Sequence, residues 1–326
     1  MKKGVGLLTL GLIGSKLYQK STQELIQQST QQSTQQSSQQ STQQSTQQSN
    51  QKSTQQSKQK SLNTNLIIDK KERKIRTFYI ATVGNNPPWN NLKTYNELEG
   101  AEIDFGNEAC KRMDVDCVWI KEEWDTIIPG LLSGKYDVII SDMSITKDRE
   151  KIINFTKPYM SDSVRFAVLK NNDNLTQTKK INLNTVTTED TQILKQLDRS
   201  MTGKTVCAQD NTTHKDFLEN HLSNKSKIKL YKDNDSVNLN LVDGECDAIL
   251  GDVGSIINLI EINNTQNIKF TGPQFRGGEF GNGIGVGVRK EDVDILSKWN
   301  RAIQNMTDDG TIREISKKWF GRNLSI

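Results

Sequence analysis

From residue 76 onward, short runs rich in β-branched and aromatic residues alternate with segments whose apolar positions recur every three or four residues. The first pattern is that of strands and the second that of amphipathic helices. Strands are expected at 77–83, 117–120, 137–141, 164–169, 204–208, 227–231, 247–250, 268–270 and 283–288. Helices are expected at 101–113, 124–132, 212–222, 236–241, 253–261, 291–306 and 311–319. Such alternation predicts an α/β fold of mostly parallel sheets flanked by helices, built as two sets of βαβ units. The polar stretch 171–197 lacks Gly and Pro punctuation and is expected to be a surface insertion in the second set. The run Gly277-Gly278-Glu279-Phe280-Gly281-Asn282-Gly283 follows Pro273 and is a hinge candidate, because glycine absorbs large φ/ψ changes.

Upstream the pattern changes twice. Met1-Lys2-Lys3 precedes an apolar run, 4–14, that is short for a membrane span, so residues 1–20 are expected to be a signal peptide or an uncleaved anchor. Neither a small-x-small cleavage site nor a lipid-accepting Cys follows it. From Gln27 the chain repeats with period four (QQST, QQSS, QKST), and 33 of residues 21–60 are Gln, Ser or Thr. Chain of that kind has too little apolar surface to offset backbone entropy, so 21–70 is expected to be a disordered tether.

A length of 326 residues with 33% hydrophobic and 25% charged positions allows one large domain or two ordinary ones and excludes a membrane-embedded transporter. The net charge of +4 belongs to the tail: residues 1–70 hold 8 Lys and 2 acidic residues, leaving 35 basic against 37 acidic beyond it. A near-neutral body lacks the field that nucleic acid requires. None of the cysteines forms a CxxC pair, so a structural zinc site is not expected. Cys110 and Cys117, seven apart, could close a short loop by disulfide in an exported protein, whereas Cys207 and Cys246 are expected to be buried small residues. His214 and His221 share a helical face but have no third ligand, so a solvated face is expected and no metal site.

Ligands of open α/β sheets bind beyond the carboxyl ends of strands. Ser141-Asp142-Met143-Ser144 with Arg149, then Gln209-Asp210-Asn211-Thr212-Thr213, then Gly251-Asp252 stand at such ends. The run from Trp124 to Glu150 (W-D-x-I-I-P-G-L-L-S-G-K-Y-D-V-I-I-S-D-M-S-I-T-K-D-R-E) is followed by N-F-T-K-P-Y. Together with G-A-E-I-D-F-G-N-E-A-C-K-R-M, N-T-T-H, L-V-D-G-E-C-D-A-I-L-G-D and D-D-G-T-I-R-E-I-S-K-K-W-F-G, it resembles the family 3 extracellular solute-binding proteins of polar amino acid ABC importers. Within that family the likeness is to the lysine/arginine/ornithine- and histidine-binding periplasmic proteins, over nearly all of 76–322.

The resemblance implies a two-lobed periplasmic-binding-protein type II (Venus flytrap) fold. Its first lobe would comprise 71–163 and 284–326 and its second 164–276, with the hinge at 277–283. It also implies an exported, periplasmic or membrane-tethered monomer that passes an L-amino acid to a permease, with no cofactor and no catalytic residues. Arg149 would clamp the α-carboxylate, with Ser144 and the amide of Thr213 as further donors. Asp252 would accept the α-ammonium, Trp124 would wall the side chain, and Ser141 and Gln209 would line the cleft. The Cys110–Cys117 pairing agrees with a disulfide of those proteins. This sequence departs from the pattern at Val83 and Asn86, where an acidic and an aromatic residue are usual, and at Asp142, where a small residue is usual. Asp142 with Asp252 exceeds what one α-ammonium needs, which favours a polar, cationic amino acid. The rival readings are an enzyme on the same fold, of the cyclohexadienyl or arogenate dehydratase kind, and a receptor or sensor lobe. The cleft residues form no nucleophile with an acid/base pair.

Overall fold

The computed structural model describes residues 77–95, 97–170, 179–222, 225–262 and 267–326. The leader and tether expectations fall outside this range. Strand β1 (Thr77–Thr82) leads to a small antiparallel meander of β2 (Asn85–Asn86), β3 (Asn90–Thr94) and β4 (Glu97–Glu99). Helix α1 (Ala101–Arg112), β5 (Asp116–Lys121), α2 (Trp124–Leu132), β6 (Val138–Ile139), α3 (Lys147–Ile152) and β7 (Asn154–Phe155) follow. The chain then passes through β8 (Val164–Leu169), β9 (Lys180–Asn182), α4 (Thr188–Met201), β10 (Thr205–Gln209), α5 (Thr213–His221) and β11 (Lys227–Tyr231). Next come α6 (Asn234–Val242), β12 (Ala248–Asp252), α7 (Val253–Ile262), β13 (Ile268–Arg276), β14 (Gly287–Val288), α8 (Val293–Asp308) and α9 (Thr311–Phe320).

Two sheets divide these strands into two lobes. The first has the order β5-β1-β6-β14-β7 and the second β11-β10-β12-β8-β13-β9. In each, a parallel trio (β5-β1-β6, β11-β10-β12) is extended by antiparallel partners, β14 in one case and β8 in the other. The antiparallel additions arise where the chain crosses between the sheets, from β7 to β8 and back from β13 to β14. Each sheet is covered on both faces. Phe78, Ile80, Phe105, Trp299 and Met306 fill one face of the first sheet, and Ile127, Leu131, Tyr136 and Ile139 the other. Phe166, Phe217, Phe275 and Phe280 cluster on one side of the second sheet, and Val237, Leu241, Ile249 and Ile256 on the other.

Several local features differ from the sequence expectation: β14 covers only Gly287–Val288 of the expected 283–288, β6 only Val138–Ile139 of 137–141, and the β2–β4 meander and helix α3 were not expected. Half of the expected surface insertion is integral: β9 pairs with β13, and α4 buries Ile193, Leu197 and Met201 behind a capping box of Thr187 and Asp190. The polarity of 171–197 belongs to the exposed face of that helix, and residues 171–178 lie outside the described range. Strand β13 runs on to Arg276 because a register shift between Thr271 and Gln274 accommodates Gly272-Pro273. Cys207 and Cys246, expected to be buried but left unassigned as to pairing by the sequence, are buried and form a disulfide, and Cys110 and Cys117 form another. The register explains the second pair: Cys207 faces Ile249 across β10 and β12, and Cys246 precedes β12 at a Cα–Cα distance of 6.0 Å. In the return crossing Gly281 has φ 75°, and a Cβ there would lie 2.3 Å from the Ile145 carbonyl oxygen, so this backbone accepts no other residue unstrained.

Candidate ligand-binding site

The carboxyl ends of β1, β6, β10 and β12 meet in one cleft between the lobes. Asn86, Trp124, Ser141, Asp142, Ser144, Arg149, Gln209, Thr213 and Asp252 all line it. Val83, Asn85, Thr212, His214 and Asn234 complete the wall.

Arg149 is placed by a short helix. Thr146 caps α3 by accepting from the Arg149 amide at 3.3 Å, which turns the guanidinium back into the cleft. There Nη1 donates to the Ser144 carbonyl at 3.0 Å and the guanidinium lies 5.2 Å from the Trp124 ring centroid. Among the described residues no carboxylate pairs with it. Enclosure lowers its pKa to about 10, against the field of Asp216, Asp142 and Asp252. Thr213 opens α5, whose cap Thr212 accepts from the Lys215 amide, so the positive end of that helix borders the cleft.

Acidic groups gather opposite. Asp142 follows β6 with φ 46°, a left-handed conformation that aspartate tolerates better than most residues. Its amide donates to Glu102 Oε1 at 2.7 Å and its carboxylate accepts from Asn86 Nδ2 at 2.9 Å. Burial raises the Asp142 pKa well above the usual range, and the nearby carboxylates of Asp252, Glu102 and Asp162 raise it further. Glu102 is fully buried and also accepts from Asn90 at 2.7 Å and from the Tyr159 hydroxyl; burial outweighs these bonds and raises its pKa too. Asp252 ends β12 and stands 3.4 Å from His214 Nε2, a buried nitrogen that makes no hydrogen bond.

The remaining residues frame the site. Ser141 Oγ accepts from the Val83 amide at 3.0 Å, which ties β6 to the end of β1. Gln209 donates to the Lys232 carbonyl at 3.1 Å. Trp124 reaches across the lobes to donate from Nε1 to the Asn211 carbonyl at 3.0 Å. From the second lobe, Asn234 Nδ2 at 3.3 Å and Ser255 Oγ at 2.7 Å both donate to Asn86 Oδ1.

Sequence reasoning missed Glu102 and His214. Glu102 sits in the first turn of α1, where an acidic residue passes as ordinary helix chemistry. The expectation of a solvated face holds poorly for His214, which is 8% exposed and turned into the cleft, while His221 lies 3.0 Å from Glu279. The only local signal was that His214 directly follows Thr213 at a helix N-terminus. Among the described residues no group of His, Cys, Asp and Glu forms a metal site.

A family model described as bacterial extracellular solute-binding proteins, family 3, matches residues 78–322. The octopine-binding periplasmic protein of Rhizobium meliloti is 33% identical over 75% of this chain and 90% of its own length. The histidine-binding periplasmic protein of Escherichia coli is 31% identical over 73% of the chain and 86% of that protein. The solved structure of an ancestral arginine-binding protein bound to arginine is 27% identical, with a TM-score of 0.64 over 75% of this chain and 98% of its own. With the two-lobed α/β fold and an interlobe cleft already in place, the chain belongs to the bacterial extracellular solute-binding proteins of family 3.

Proposed function

We propose that this protein captures an L-amino acid with a cationic side chain between its two lobes and delivers it to an ABC permease. The observation that carries the reading is Arg149 without a carboxylate partner, facing the half-buried carboxylates of Asp142 and Asp252 across the cleft. A zwitterion satisfies both: its α-carboxylate takes the guanidinium, the Ser144 hydroxyl and the Thr213 amide, and its α-ammonium takes Asp252. Asp142, with Glu102 buried behind it, is then left for a second positive charge on the side chain, which Trp124 covers. Relatives named for binding octopine, histidine and arginine support an amino-acid-like ligand.

The lobes are taken as 71–163 with 284–326 and as 164–276, with 277–283 as hinge. Ligand contacts from both lobes favour the closed state, which the permease reads. The protein acts as an exported monomer, and residues 21–70 hold it away from the membrane. No bond is broken in this scheme. An ancestral amino-acid-binding protein described as a precursor of cyclohexadienyl dehydratase is 23% identical and shares the fold alone. A thermal-shift panel of the L-amino acids with ornithine and citrulline, followed by calorimetry, tests the reading. The largest stabilisation is expected from lysine, arginine or ornithine. No shift with any of them, together with turnover of prephenate or arogenate, would transfer the cleft to the enzyme class.

A further inference from the structure

The amino-acid cleft has two open ends. At one, Arg149 and Thr213 are shared with a polar cleft running out between α3 and α5. At the other, Asn86, Asn234 and Asp252 are shared with a second cavity of about 290 Å³ between α6, α7 and the turn after β1. A ligand whose α-carboxylate is held at Arg149 therefore points its far end at Asn86. Asn86, which lines both cavities, is a partition made of hydrogen bonds: it donates to Asp142 and accepts from Asn234 and Ser255. Beyond it the floor is apolar, with Val237 and Ile256, while Asp235, Asn238 and Asn258 supply polar groups. No Lys, Arg or His lines this chamber among the described residues, and burial and Asp233 raise the Asp235 pKa.

We infer that this chamber is a subsite for the distal part of a side chain longer than that of arginine, ending in an amide or a cation. The inference rests on the amino-acid reading of the cleft. Methylenes of such a chain would lie on the apolar floor, and its terminal donors would meet Asn238, Asn258 and Asp235. Asn86 would exchange its interlobe bonds for bonds to the ligand, at little net cost in hydrogen bonding.

Calorimetry of the full chain with lysine, Nε-acetyl-lysine and Nε-glycyl-lysine tests this. Nε-glycyl-lysine is expected to bind within about tenfold of lysine or more tightly, a difference of at most about 1.4 kcal/mol. Asn238→Phe and, separately, Asn258→Leu fill the chamber without touching the clamp. Each is expected to weaken Nε-glycyl-lysine at least about tenfold and to leave lysine within about twofold. Binding of lysine but neither extended ligand, or equal losses for both ligands in both variants, would overturn the subsite. If no ordinary amino acid and neither extended ligand binds, the amino-acid reading itself has failed and the subsite falls with it.

Discussion

An enclosed guanidinium without a counter-charge is costly to keep, and Arg149 is held in that state by the α3 cap and the Ser144 carbonyl. In the proposed binding mode the ligand's carboxylate removes that cost. Arg149→Ala is therefore expected to weaken amino-acid binding by roughly 3 kcal/mol, and Arg149→Lys by less, because lysine keeps the charge but loses the bidentate geometry. Isothermal calorimetry of both variants reads the difference. Asp142 makes a second test. Its pKa is raised above the ordinary carboxylate range by burial and its acidic neighbours, and a cationic side chain beside it favours the charged form and expels any proton held there. Affinity for lysine or arginine should then rise with pH above the ordinary carboxylate range, and the observed binding enthalpy should change with buffer ionisation enthalpy in proportion to the protons released. Asp142→Asn should abolish the release and lower lysine relative to glutamine by about tenfold. An unchanged ranking of lysine, arginine, histidine and glutamine would remove Asp142 from the side-chain pocket.

At the scale of elements, the disulfides tie helix to strand and strand to strand away from the carboxyl ends that carry the cleft. Cys110–Cys117 closes a separation of 7 residues between α1 and β5, and Cys207–Cys246 a separation of 39 between β10 and the start of β12. Loop entropy in the unfolded chain makes the second worth more, roughly 4 against roughly 2.5 kcal/mol. Calorimetric melting of Cys207→Ser/Cys246→Ser should accordingly fall further than that of Cys110→Ser/Cys117→Ser. The outer helix α4 depends on its capping box, in which Thr187 Oγ1 accepts from the Asp190 amide at 3.2 Å and Asp190 accepts from the Thr187 amide at 2.9 Å. Thr187→Ala should cost about 1 kcal/mol in urea unfolding.

For the whole molecule, closure and ionisation are linked. The lobes meet through Trp124 with Asn211, Asp125 with Asn211 at 3.0 Å, Glu123 with Lys232 at 2.9 Å, and Asn86 with Ser255. In the proposed scheme a ligand that contacts both lobes shifts the population toward this arrangement. The acidic groups near the crossing oppose it. Asp162 accepts from the Gly254 amide at 2.7 Å and pairs with Arg322, yet burial holds its pKa at about 6. Glu102 and Asp142 are raised as well. Where folded pKa values exceed unfolded ones, the native state binds more protons, so stability falls as pH rises through the interval between them. For Asp162 that interval is from the ordinary carboxylate value of 3.8 to about 6. Scanning calorimetry should find the empty protein more stable near about pH 5 than near about pH 7.5, by a few degrees, and saturating cationic ligand should reduce this difference. An empty protein whose melting temperature rises over that range would contradict the assignment.

The periodicity of apolar positions determined the strands and helices closely, because each element buries a face whose spacing is written locally: α2 begins and ends where the pattern does. The order of motifs likewise pointed to residues that share one cleft, since Arg149, Thr213 and Asp252 each stand at an element boundary that local chemistry marks. Strand direction was less legible. A crossover strand such as β8 has the same alternation whether its neighbours run with it or against it. Half of the polar stretch before Leu197 proved to be core because three well-spaced apolar residues suffice to anchor a helix whose other face is wet. Only the tertiary structure joined Cys207 to Cys246, aimed His214 at Asp252 and set Glu102 beneath Asp142. Such contacts lie between residues remote in sequence, so their distances depend on sheet register and lobe packing, which no local pattern encodes.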